Sequence, residues 1–135
     1  MSELIKRGMF PASNPITARW RFYDGSRTAY TQADVTSMKY DAIQLQPYSA
    51  TLLANDTALV VASTVYDTLQ VESDDAGWED DEDATGYNCM TTFPGTLFAT
   101  AGLVRIEVYA TPSAEGATQV RCATFEITVD AAYGS

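Results

Sequence analysis

The chain has 135 residues, no histidine and a formal net charge of −10. That length fits one domain able to bury a core of its own. The missing imidazole removes the commonest general base, zinc ligand and pH switch, and the negative balance argues against nucleic acid, whose phosphates would be repelled.

The charge is unevenly placed. Glu72, Asp74, Asp75 and the run Glu79, Asp80, Asp81, Glu82, Asp83 hold eight of the 18 acids, which leaves 10 acids against 8 bases elsewhere. Five of those bases, Lys6, Arg7, Arg19, Arg21 and Arg27, fall in the first fifth of the chain. Residues 1–10 carry Glu3, Lys6 and Arg7 and no sustained apolar run, so no secretory leader is expected. No stretch approaches the ~20 apolar residues of a membrane span. A soluble protein without membrane contact is expected.

In chain order, residues 1–15 lack periodicity and are punctuated by Gly8, Pro11 and Pro15, which predicts an extended N-terminal arm. Its apolar Leu4, Ile5, Met9 and Phe10, beside Lys6 and Arg7, either lie along their own domain or dock on a neighbouring subunit. From Ile16 the alternation of Ile16, Ala18, Trp20 and Phe22 with Thr17, Arg19, Arg21 and Tyr23 predicts a half-buried strand. Asp24-Gly25-Ser26 reads as a turn. Residues 37–46 alternate with Met38, Tyr40 and Ala42 on one face, and a bulge is an option for switching faces midway. Thr51–Leu53 predicts a short strand ended by Asn55-Asp56, and Ala58–Val61 a further apolar run. Residues 63–70 predict one helical turn capped by Ser63 or Thr64, with Asp67 closing a turn.

After the acid run, residues 86–93 predict a strand. Leu103–Ala110 is the clearest strand, with Val104, Ile106 and Val108 on one face. It pairs as a hairpin with residues 118–129, whose apolar face is Ala123, Phe125, Ile127 and Val129. Residues 131–135 form a C-terminal tail. About seven strands with little helix predict an all-β antiparallel sandwich of immunoglobulin-like type over 16–130.

The acid run invites three readings: a solvated loop, a contact with another protein, or a calcium site using Asp80, Asp81 or Asp83. Adjacent carboxylates ~6 Å apart repel by roughly 0.7 kcal/mol in water, which a cation would offset. The alternating Asp-x-Asp-x-Asp-Gly ligand pattern is missing, however. The basic N-terminal segment of a second copy is the natural counter-charge. Trp78 reads as a lid over the sandwich end. The spacing of Asp83, Thr85, Tyr87 and Cys89 imitates an immunoglobulin tyrosine corner, but too early in the strand order. Cys89 and Cys122 read as small hydrophobes, with a disulfide between them left open. No nucleophile, phosphate loop or base is apparent, so no enzymatic activity, cofactor or metal is expected.

Together, residues 19–40 (RWRFYDGSRTAYTQADVTSMKY), Val65–Gln70 (VYDTLQ), Asp83–Asn88 (DATGYN) and the closing hairpin resemble small immunoglobulin-like virion proteins of tailed bacteriophages and prophage-like loci, over about residues 16–129. The longer acid run and the two cysteines depart from that pattern. The resemblance implies a structural role and no catalytic residues. It implies first a capsid decoration (cement) protein that grips the major capsid protein or other virion subunits and makes homo-oligomeric contacts. Its contact residues would be Leu4, Ile5, Lys6, Arg7, Met9 and Phe10 together with Glu79–Asp83, its location the virion, assembled in the host cytoplasm. Alternatives are a tail, neck or baseplate module that touches the host, and a secreted carbohydrate-binding domain using Tyr23, Tyr30, Tyr48, Trp78 and Tyr109.

Overall fold

A computed structural model describes residues 5–24, 26, 28–45, 50–70, 78, 86–114 and 116–130. These residues form eight strands, where about seven were expected: β1 (Ile5–Pro11), β2 (Ile16–Trp20), β3 (Val35–Gln44), β4 (Thr51–Leu59), β5 (Val65–Gln70), β6 (Tyr87–Phe93), β7 (Gly102–Pro112) and β8 (Val120–Asp130). A five-stranded sheet has the order β1-β8-β7-β3-β4 and a three-stranded sheet the order β2-β6-β5. Every pairing is antiparallel except that of β1 with β8. The architecture is an all-β, two-layer sandwich. No helix among the described residues is long and apolar enough to cross a membrane.

The period-two alternation builds the core. Val104, Ile106, Val108 and Ala110 of β7 and Ala123, Phe125, Ile127 and Val129 of β8 are buried from one layer. Ile16, Ala18 and Trp20 of β2 and Cys89 and Phe93 of β6 meet them from the other. Each large side chain buried this way contributes roughly 1.5–3 kcal/mol. Phe125 sits at a junction of rings, its centroid 5.6 Å from Trp20, 5.4 Å from Trp78 and 5.9 Å from Phe93.

Several expectations change. The N-terminal segment lies along its own domain: Ile5–Pro11 pairs with β8 from Ile5↔Thr124 to Pro11↔Asp130. From Met38 onward β3 keeps one alternation, with Met38, Tyr40, Ala42 and Gln44 buried; its own register shift against β7 lies earlier, between Val35 and Ser37. The midway irregularity lies across from it in β4, where Thr57 pairs with Tyr40 but Ala54 with Ala42, and Leu52 then with Ile43. Asn55 and Asp56 therefore oppose Asp41 alone, and Asp56 takes φ +51° while its N–H donates to Asp41 Oδ1 at 2.7 Å. This bulge fuses the two expected runs into β4.

The helical turn falls earlier, at Val61–Thr64, with no side-chain cap. Val65–Gln70, rich in β-branched and aromatic residues, is a strand instead. Asp67 closes no turn of its own; its Oδ1 accepts the Gln32 N–H at 2.8 Å and ties β5 to the loop ahead of β3. Cys89 and Cys122 are both buried thiols without a disulfide. Burial, with Cys122 adding to it, pushes the Cys89 thiol well up, so it behaves as a small hydrophobe.

One buried amide fixes the end of β2. Asn88 is fully buried and acts as a surrogate strand: Oδ1 accepts the Phe22 N–H at 2.7 Å, and Nδ2 donates to Phe22 O at 3.0 Å and Tyr30 O at 2.8 Å. Replacing it orphans backbone groups inside the protein. Asn88→Ala is expected to lower the unfolding free energy by about 2–4 kcal/mol in urea titration. A loss below about 0.5 kcal/mol, the range of an ordinary surface change, would refute this role.

Candidate interaction surface

The N-terminal residues singled out for partner binding divide into two sets. Inward positions of β1 are absorbed by the fold. Lys6 is fully buried, its Nζ donating to Arg19 O at 3.2 Å and lying 5.3 Å from the centre of the Trp78 ring. Phe10 packs edge-on against the same indole at 4.9 Å. Trp78 in turn donates Nε1–H to Thr17 O at 3.1 Å and bridges by backbone to Gly8. It therefore closes the open edge between β1 and β2, joining the layers there. Leu4 and the acid run Glu79–Asp83 lie outside the described residues.

Outward positions of β1 reach solvent: Ile5 is 39% exposed and Met9 52%. They stand on the outer face of the five-stranded sheet, whose register sets its surface in rows. One row runs Met9, Thr128, Leu103 across three strands, and the Leu45 N–H extends it by donating to Leu103 O at 2.7 Å. The next row runs Arg7, Glu126, Arg105, Ile43, Leu52 across all five strands. Leu52 is 57% exposed, and Leu103, Leu45 and Ile43 are half-buried. Two adjacent rows thus put five apolar side chains beside a charged ladder.

In the ladder two guanidiniums share one carboxylate. Glu126 accepts from Arg7 Nε and from Arg105 NH2, each at 2.8 Å, with its own side chain 16% exposed. Farther along the same face Arg121 pairs with Glu107, and Lys39 with Asp56. Tyr109 donates to Glu107 at 3.4 Å; burial, then the Glu107 and Asp41 charges, raise its phenol above the ordinary value. A shallow depression of about 230 Å³ opens here between Lys39, Asp56, Tyr109 and Gln119. Arg105, by its hydrogen bond, and Arg7 hold Glu126 below the usual carboxylate range.

The outer face of the small sheet differs in kind. Arg19 lies over Tyr87 and Arg21 over Tyr23, at 5.7 and 5.5 Å. Arg21 Nε–H donates to Gly86 O at 2.8 Å, and Tyr66 meets Tyr87 edge-on at 5.8 Å. Tyr87 is thus spent on cation and ring contacts, while Cys89, two residues on, points into the core. The aromatics proposed as a sugar platform do not assemble: Trp78 is buried, Tyr30 packs on Phe22 at 4.2 Å, Tyr23 sits in an isolated bridge with Ala29 outside the named strands, and Tyr109 lies on the large sheet. Tyr48 lies outside the described residues. Among the described residues no group of three or more His, Cys, Asp or Glu side chains is placed to hold a metal ion.

Sequence reasoning singled out Ile5 and Met9 but missed Ile43, Leu45, Leu52 and Leu103. Those four come together only once the strand order is known. No family model matches the chain, and neither the curated proteins nor the solved structures return a match.

The Glu126 pairings give a pH signature. Its folded pKa is depressed, so their stabilisation is present above the unfolded carboxylate value and is lost as pH falls through the folded one. Glu126→Gln is expected to cost on the order of 1 kcal/mol at neutral pH. The cost should vanish once the wild-type carboxyl is itself protonated. Thermal melts of both proteins from pH 7 to 2.5 check this; a gap independent of pH would contradict it.

Proposed function

We propose that this chain is a non-enzymatic virion structural protein, an immunoglobulin-like sandwich that decorates a capsid by gripping the major capsid protein or neighbouring subunits. The observation that carries this reading is the outer face of the five-stranded sheet. It is broad and made of rigid, mutually paired strands. It presents Met9, Leu103, Leu45, Ile43 and Leu52 beside a charge ladder in which Arg7 and Arg105 both pair with Glu126. Apolar contact area flanked by charges already engaged in ion pairs suits a protein–protein contact, because a paired charge costs less to desolvate on docking than a lone one.

The strand order supports the immunoglobulin-like part of the proposal. The succession β8-β7-β3-β4 corresponds to G-F-C-C′, and β2-β6-β5 to B-E-D. β1 then takes the place of a first strand that has moved over to lie parallel beside the last. In such a sandwich the G-F-C-C′ layer offers the wider outward face. Repeated weak contacts of that face around a shell would sum to high avidity.

Purified parent particles test the proposal, by mass spectrometry for the chain and by rebinding of added protein to stripped particles. Met9→Glu and Leu52→Glu place charge at the two most exposed apolar positions of the face. Each should leave the melting temperature within about 2 °C of wild type, as a surface change worth up to ~0.5 kcal/mol does. Each should weaken particle binding by at least about tenfold, or 1.4 kcal/mol. Wild-type binding by both variants, or particles lacking the chain, would overturn the proposal.

A further inference from the structure

β1 is the N-terminal strand of the described chain, and its attachment is unusual. Its ladder partner is β8, the last strand, over seven register pairs. Its other contacts include the Arg7–Glu126 ion pair, the Lys6–Arg19 hydrogen bond, the Lys6 and Phe10 contacts with the Trp78 ring and the Gly8–Trp78 bridge. None of these contacts requires that β1 and its receiving groove belong to one molecule. The requirement comes only from residues 12–15, which carry the chain from the large sheet into β2 of the small one.

That connector is short and loaded. It is bounded by Pro11 and Pro15, whose fixed φ angles stiffen both ends. Between them Ser13 adopts φ +66°, the left-handed region that disfavours a residue bearing a Cβ. The bend is pinned by the Ser13 N–H to Phe98 O at 2.8 Å and the Ala12 N–H to Asp130 O at 3.3 Å. It rests so closely on Gly95 that a Cβ there would meet Ser13 O at 2.5 Å and the Ser13 carbonyl carbon at 2.9 Å. Short strained hinges next to a terminal element favour exchange of that element between copies.

We propose that β1 exchanges reciprocally between two copies of this chain: Ile5–Pro11 of each seats on β8 of the other, beneath its Trp78. The register, the Lys6–Arg19 hydrogen bond and the Phe10–Trp78 contact all re-form between molecules. Opening the connector releases the left-handed Ser13 and gives up the two hydrogen bonds that pin the bend. Those connector terms, together with protein concentration, set the balance between closed monomer and exchanged dimer. The apolar Ile5 and Met9 travel with the strand, so the outer face stays complete in both forms.

The inference does not depend on the virion proposal, and it is tested on the purified chain alone. Met9 and Thr128 are register partners across β1 and β8. The double variant Met9→Cys/Thr128→Cys is refolded from denaturant across a range of concentrations, oxidised, and run on a non-reducing gel beside oxidised wild type. Exchange yields a covalent dimer whose share rises with refolding concentration; the closed form yields only an internally bridged monomer. In that background Gly95→Ala should raise the dimer-to-monomer ratio by about tenfold and Ser13→Gly should lower it, as relief or loading of one strained residue implies. Internally bridged monomer alone at every concentration would overturn the proposal. So would a dimer share that Ser13→Gly fails to lower. Should Gly95→Ala fail to fold, the double-cysteine chain with its native connector, with and without Ser13→Gly, still decides.

Discussion

The sandwich depends on a meeting of rings around Phe125. From β8 in the large sheet this side chain reaches Trp20 of β2, Phe93 of β6 and Trp78, and Phe93 passes the contact on to Tyr40 of β3 at 5.0 Å. Among the described residues the two layers share no hydrogen-bonded ladder, so side-chain packing of this kind does most to hold them together. Edge-to-face geometry adds directional preference to the burial of large apolar area. Trp78 has a second task, since by packing edge-on against Phe10 and at a tilt against Phe125 it ties the β1 edge to the ring cluster.

The hairpin of β7 and β8 was plain in the sequence because Val104, Ile106 and Val108 face Ala123, Phe125, Ile127 and Val129 without interruption. β2 was equally plain from Ile16, Ala18 and Trp20, although the strand ends there and the backbone of buried Phe22 is held by the Asn88 side chain instead. β1 was hidden because its inward positions are Lys6, Gly8 and Phe10: a cation and a glycine stand where alternation demands apolar residues. The cation is tolerated in the interior because the Arg19 carbonyl and the Trp78 ring receive it. β4 was split in two because a bulge obeys turn chemistry, and Asn55-Asp56 is turn chemistry placed inside a strand. The one-turn helix lies ahead of where Ser63 as a cap would start it, because the Ser63 hydroxyl sits inside the turn and donates back to Val60 O at 3.2 Å.

The candidate surface was legible only in part, for a reason of geometry. Met9 and Ile5 announce themselves as apolar residues in a charged segment. Ile43, Leu45, Leu52 and Leu103 belong to three strands, and no local pattern says that those strands lie side by side. The sequence also misdirected the reading of charge. Lys6 and Arg7 read as part of a basic segment suited to the acid run of a second copy, yet one is buried under an indole and the other is engaged by Glu126. What remains outward is less a charged arm than an apolar stripe beside paired ions, and recognition then rests on shape and burial more than on steering.

The account stands on the ring junction as the element that unites the two layers, and Phe125→Ala tests that most directly. Unfolding of the variant, followed together by near-ultraviolet circular dichroism and tryptophan fluorescence, should show a loss of about 3–5 kcal/mol. Both signals should weaken, because Trp20 and Trp78 lose the ring they share. A loss near 1 kcal/mol with both tryptophan signals intact would mean that the layers are held elsewhere, and would contradict the account.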